Sequence, residues 1–210
     1  MRSILTDEER KRLLTLVAEA ERGTAGELVT VVARQSAAYG GYRLGWATTL
    51  ALLVAVVVHL VAPSVPADWL LGAQGPVALC LWWLFGRPIL LRWITPRAVR
   101  RRAVSDRVKQ LFLELGVTET RDRSGVLVYL SELERRVEIL ADRGIHEHVG
   151  DQAWQAMVDE LVGAIQGGRA AEGLATIVER IGRELAAKFP PRADDTNELP
   201  DEVVTDGRYG

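Results

Sequence analysis

LGWATTLALLVAVVVHLVA, residues 44–62, is nineteen residues without a formal charge. A helix crossing a hydrocarbon core of ~30 Å needs ~20 such residues. Pro63, Ser64 and Pro66 break the run, and Ala67 and Asp68 complete a short turn. A second apolar run covers residues 69–85, and Ile89, Leu90 and Leu91 extend it beyond Gly86, Arg87 and Pro88. Trp46, Trp69, Trp82, Trp83 and Trp93 lie within or beside the runs, where an interfacial aromatic belt belongs. The pattern predicts a two-helix transmembrane hairpin over residues 43–94.

Arginine placement orients it. The turn carries Asp68 and no Lys or Arg, whereas Arg34, Arg43, Arg87, Arg92, Arg97, Arg100, Arg101 and Arg102 flank the hairpin. The positive-inside rule then places the turn outside and both flanking halves, with both termini, in the cytoplasm. The expected location is a bacterial inner (plasma) membrane crossed twice. His59 sits near the outer end of the first run, where a neutral imidazole reaches the interface, so the spans read as an anchor and not as a proton path.

Outside the hairpin the chain is charged and amphipathic. The single cysteine, Cys80, excludes an intrachain disulfide, and no apolar leader precedes residue 23. Thr6 to Glu9 (TDEE) reads as a capping box opening a helix that Gly23 ends. Residues 27–33 (ELVTVVA) form a β-branched strand, dense enough in apolar residues to be buried on both faces. Pro96 opens a second helix through about Leu115. Residues 125–130 and 136–141 are strands joined by a link short enough for an antiparallel hairpin. Helices follow from Asp151 and from Ala170 to Phe189, and Pro190 and Pro191 stop the fold.

The first helix and strand, residues 1–40, cannot bury their apolar faces alone. Residues 95–189 complete the sheet that they begin. One α/β domain, an α/β/α sandwich with a mixed sheet, is therefore interrupted by the hairpin. Residues 190–210 are polar and acidic and read as a disordered tail.

Four segments carry a likeness: residues 18–29 (AEAERGTAGELV), 124–131 (SGVLVYLS), 134–145 (ERRVEILADRGI), and Phe189-Pro190 followed by NELP at 197–200. In this order they resemble the TPM-domain family, in its bacterial membrane branch with transmembrane helices inserted in the domain. The resemblance implies an α/β/α sandwich attached to membrane complexes. Its relatives include a thylakoid repair protein with acid phosphatase activity, a receptor accessory subunit and divalent-cation binders. The family's acidic position after the second strand falls on Glu134, where relatives often carry Asp.

A divalent site for Ca²⁺ or Mg²⁺ is the sharpest chemical expectation. Glu27, Glu132, Glu134 and Asp142 lie at strand ends, and hard cations need several convergent oxygens. His146 and His148 follow the third strand at a spacing that converges only in extended chain, with no Cys or third His in the soluble part to complete a zinc set. No cysteine-nucleophile motif or phosphate-cradling glycine loop is present, so catalytic residues are not assigned and an enzyme is the weaker reading. Arg97, Arg100, Arg101 and Arg102 can press the domain against an anionic leaflet, at ~1 kcal/mol each. The basic stripe lacks the stacking aromatics of a nucleic-acid surface. The expected function is a membrane-anchored, cytoplasm-facing accessory or scaffold of another membrane protein, possessing the bilayer as one partner. The runner-up is a divalent-dependent, phosphatase-like hydrolase at the membrane surface.

Overall fold

The computed structural model describes residues 4–191 and 204–206, and the chain divides into two units. One joins residues up to 36 to those from 101 onward, and the other covers residues 37–100.

In the first unit, α1 (Asp7–Glu21) starts on the predicted capping box, with the Thr6 side chain on the Glu9 amide and the Glu9 carboxylate on the Thr6 amide. Next in the sheet come β1 (Leu28–Ala33), β2 (Val126–Ser131) and β3 (Arg136–Ala141). β1 and β2 pair parallel, and β2 and β3 pair antiparallel, giving the mixed sheet. All six residues of β1 and all six of β2 are buried. Val32, Val128 and Leu130 join one apolar cluster, while Val31, Leu127 and Tyr129 join another. Alternation along each strand sends successive side chains to opposite layers, so a continuous apolar run is the mark of a sheet covered twice.

The first cluster is completed by α1 with α7 (Asp151–Gln166) and α8 (Ala170–Lys188). The second is completed by Val104, Val108, Leu111 and Phe112 of α5 (Arg97–Glu114). Glycine is required where layers meet. A Cβ on Gly125 would lie 2.4 Å from the Val117 carbonyl oxygen, and one on Gly26 would lie 2.6 Å from Leu185.

Two features depart from the sequence reading. The His146-Glu147-His148 segment, expected as a solvated loop, is helical. It lies in α6 (Arg143–Val149), whose N-cap is Asp142. In the nominal tail, β4 (Val204–Asp206) pairs parallel to β1, making the order β3-β2-β1-β4. Residues 192–203 and 207–210, on which the rest of the disordered-tail expectation falls, lie outside the described residues.

The second unit contains α2 (Gly40–Val61), α3 (Ala67–Leu84) and α4 (Pro88–Ile94). α2 and α3 run antiparallel. Near the start of α2, the Arg43 guanidinium donates to the Trp82 carbonyl at 3.0 Å and stacks over the Trp82 ring at 4.1 Å. The Trp46 indole donates to the Ile94 carbonyl at 3.2 Å. α2 is long and apolar enough to cross a membrane, at mean hydropathy 2.2. α3 does not pass alone. It passes only together with α4, and the two are bent by 105° at the break. The expected continuation through Ile89 to Leu91 is therefore a change of direction, set where Arg87 is extended and Pro88 opens the new helix.

Candidate functional site

The four carboxylates predicted as a cation site are all buried, at 3–8 % exposure. They do not converge. Ser131 pairs with Arg136 across the β2–β3 hairpin, and Val126 pairs with Ala141. Glu132 and Glu134 thus follow the end of β2. Glu27 and Asp142 lie at the other end, beside Gly125, whose carbonyl accepts the Asp142 amide. Six-residue strands separate the two ends by ~20 Å. Among the described residues no group of three His, Cys, Asp or Glu is placed to hold a metal ion.

The Glu132–Glu134 end has a defined geometry. Glu134 Oε1 accepts the Ser36 amide at 3.1 Å, and Oε2 accepts the Ser131 hydroxyl. The Ser36 hydroxyl donates to Ser131 Oγ at 3.1 Å and lies 3.0 Å from the Tyr129 hydroxyl. Because Ser36 has one hydroxyl proton, given to Ser131, Tyr129 is the donor of the remaining bond. A relay therefore runs from Tyr129 through Ser36 and Ser131 to the Glu134 carboxylate. Glu132 Oε1 accepts the Ile4 amide at 2.7 Å.

Two β-branch-free residues, Ser131 and Tyr129, share the odd face of β2, and a left-handed Arg135 at φ 51° turns the chain so that Glu134 folds back over them. The sequence reading singled out Glu134 but missed Ser36, Tyr129 and Ser131. Polar residues two apart at the end of a buried strand were the available signal.

Chemically, a carboxylate beside a serine hydroxyl could accept its proton. Here, however, Ser131 and Tyr129 are fully buried and Ser36 and Glu134 nearly so. No substrate atom reaches the hydroxyl in this arrangement. Both Glu134 oxygens serve internal donors, so the pair with Glu132 does not offer the six to eight free oxygens that Ca²⁺ takes. The cluster holds the chain at Ser36, where β1 leads out of the sheet.

At the opposite end, Asp142 Oδ1 accepts the Arg143 amide at 2.7 Å, and Oδ2 lies 3.9 Å from Arg123. His146 and His148, two apart on a helix, are turned ~200° from one another. His146 instead contacts Asp151 at 3.1 Å. Of the predicted basic stripe, Arg97, Arg101 and Arg102 are exposed, and Arg100 is half-buried, donating to the Thr95 carbonyl at 3.3 Å.

Glu138 on β3 is half-buried, and desolvation raises its pKa against the lowering pull of Arg136, Lys109 and Ser105, with Asp106 adding to the rise. The folded state therefore binds this proton more tightly than the unfolded chain. Stability contributed by the protonated group is present below its ordinary value of about 4.3 and is lost as pH rises through the raised one. Glu138→Gln should flatten that dependence and raise stability near pH 7 by up to about 0.5 kcal/mol. Denaturant melts at pH 4 and pH 7 check it; a variant that loses stability at pH 7 contradicts it.

A helix-covered mixed sheet with an apolar helical unit between β1 and β2 defines the class: a split α/β domain. The TPM domain model matches residues 93–184. The NMR structure of the BA42 protein from the psychrophilic bacterium Bizionia argentinensis is similar in fold, with a TM-score of 0.60 at 20 % identity over 98 % of this chain and 97 % of that one. No curated protein matches the chain.

Proposed function

We propose that the second unit is a membrane hairpin and that the TPM-like domain it interrupts faces the cytoplasm as an accessory or scaffold of another membrane protein. The surface of α2 and α3 carries this reading. Only 11 % of the most apolar window of α2 is buried, and Leu60, Val61, Trp69 and Leu71 are each more than 70 % exposed. In water such a surface would cost ~25 cal/mol per Å² of apolar area, whereas lipid removes the cost. α3 is ~27 Å long, close to a hydrocarbon core, and α4 turns away where it ends. Trp93 and Ile89 of α4, 86 % and 74 % exposed, suit the interface, with Arg87 and Arg92 toward the headgroups.

The scaffold reading rests on the buried state of the Tyr129–Ser36–Ser131–Glu134 relay, which favours a structural role over the phosphatase-like alternative. Purified full-length protein should show no phosphomonoester turnover that Glu134→Gln removes. Turnover lost in that variant would restore the hydrolase reading.

Cys80 on α3 is exposed and is the probe for the membrane. In intact cells it should resist a membrane-impermeant maleimide until detergent is added. Ser64→Cys in a Cys80→Ser background should react from outside without detergent. Cys80 labelling in sealed cells, or extraction of the protein by alkaline carbonate, would overturn the hairpin.

A further inference from the structure

β3 lies at an edge of the sheet. The Val126 amide donates to the Glu27 carbonyl before β1, while the Gly125 carbonyl accepts the Asp142 amide. Odd-numbered β2 residues therefore turn their backbone groups to β3, where their partners are Arg136, Glu138 and Leu140. The N–H and C=O groups of Val137, Ile139 and Ala141 point the other way, off the sheet. A groove of about 680 Å³ follows this edge, lined by β3 together with His146, Asp151, Trp154, Gln155 and Val158. Among the described residues, two buried polar atoms without a hydrogen-bond partner belong to the lining: Arg136 Nε and Trp154 Nε1.

We propose that this edge is a self-association surface: β3 of a second copy pairs with it antiparallel, about a two-fold axis at Ile139, and extends the sheet across both protomers. Charge selects both the occupant and the register. With Ile139 on the axis, Val137 faces Ala141 in hydrogen-bonded pairs, Arg136 faces Asp142 twice, and Glu138 faces Leu140. A shift in one direction sets Glu138 against Glu138, and a shift in the other sets Glu138 against Asp142, both of which oppose like charges. Symmetry makes the Arg136–Asp142 match occur on both sides of the axis. The surface is distinct from the hairpin, and the proposal does not depend on the membrane reading.

The test uses full-length chains solubilised in detergent, in a Cys80→Ser background. Two differently tagged forms, Glu138→Cys and Leu140→Cys, are co-expressed and oxidised. These positions form a non-hydrogen-bonded pair with Cα atoms ~4.5 Å apart, within disulfide reach. The expected result is a covalent dimer joining the two tags, with neither form linking to itself at a comparable rate. Adding Ile139→Pro to both forms should abolish the link. That proline removes a donor which the chain's own ladder does not use, so circular dichroism and the thermal transition should persist. Absence of the mixed dimer from folded protein would overturn the proposal. Equal self-linking of Glu138→Cys, or a dimer that survives Ile139→Pro, would overturn it equally, the second placing the contact elsewhere.

Discussion

Replacing Glu134 by Ala should cost the sheet domain about 3 kcal/mol. The substitution deletes no large apolar volume; it removes an acceptor. The Ser36 amide and the Ser131 hydroxyl both donate to this carboxylate, and both belong to buried residues. A buried donor left without an acceptor costs about 1–3 kcal/mol, more than the bond contributed when made. Glu134→Gln retains one carbonyl oxygen and should lose about half as much. Amide hydrogen exchange of β1 and β2 in the full chain reads the difference, where 3 kcal/mol is about a hundredfold loss of protection. If Ala and Gln behave alike and both stay within 0.5 kcal/mol of the parent (roughly the limit for unremarkable surface changes), the relay does not hold the fold together.

The second large effect concerns α2 and rests on the membrane proposal. Ten Leu and Val residues lie between Leu44 and Val61, each favouring insertion by about 0.3–0.6 kcal/mol, whereas one Arg at a helix centre opposes it by about 2.5–3.5. A single Val54→Arg change therefore brings the helix near balance. Val54→Arg with Val57→Arg should carry it clearly past. The double variant should leave the membrane fraction or fail to accumulate, with the single variant intermediate. Quantitative fractionation after carbonate washing measures this. A double variant that stays fully integrated would mean that α2 does not sit in lipid.

Much of the architecture was legible because its signals are local. Thr6 and Glu9 announce a helix start through side chains three residues apart, and the β-branched stretch from Leu28 to Ala33, apolar apart from Thr30, announces a strand covered on both faces. α6 was not legible: seven residues with His146 and His148 exposed carry no amphipathic period, and the cap that starts the helix, Asp142, looked like a ligand. The break at Arg87 and Pro88 was visible, but whether the chain bends there or continues is decided by packing around it.

The acidic residues failed as a set for a different reason. Their burial is real, yet a β-hairpin reverses direction, so a residue leaving β3 returns to where β2 began. That reversal by itself separates Glu134 from Asp142. The relay partners were invisible for the converse reason. Ser36 lies 98 residues from Glu134, and nothing local links them.

That separation governs the order in which the domain can be made. β1 pairs in parallel with a strand that begins at Val126, so all of α2 to α5 must leave the ribosome before its neighbour exists. At about 5–20 residues per second, β1 waits on the order of 5–20 s with its apolar edge unmatched. A chaperone or an early docking of α1 onto β1 would have most to protect in that interval, and shortening it by circular permutation through residues 37–100 should raise the yield of folded sheet.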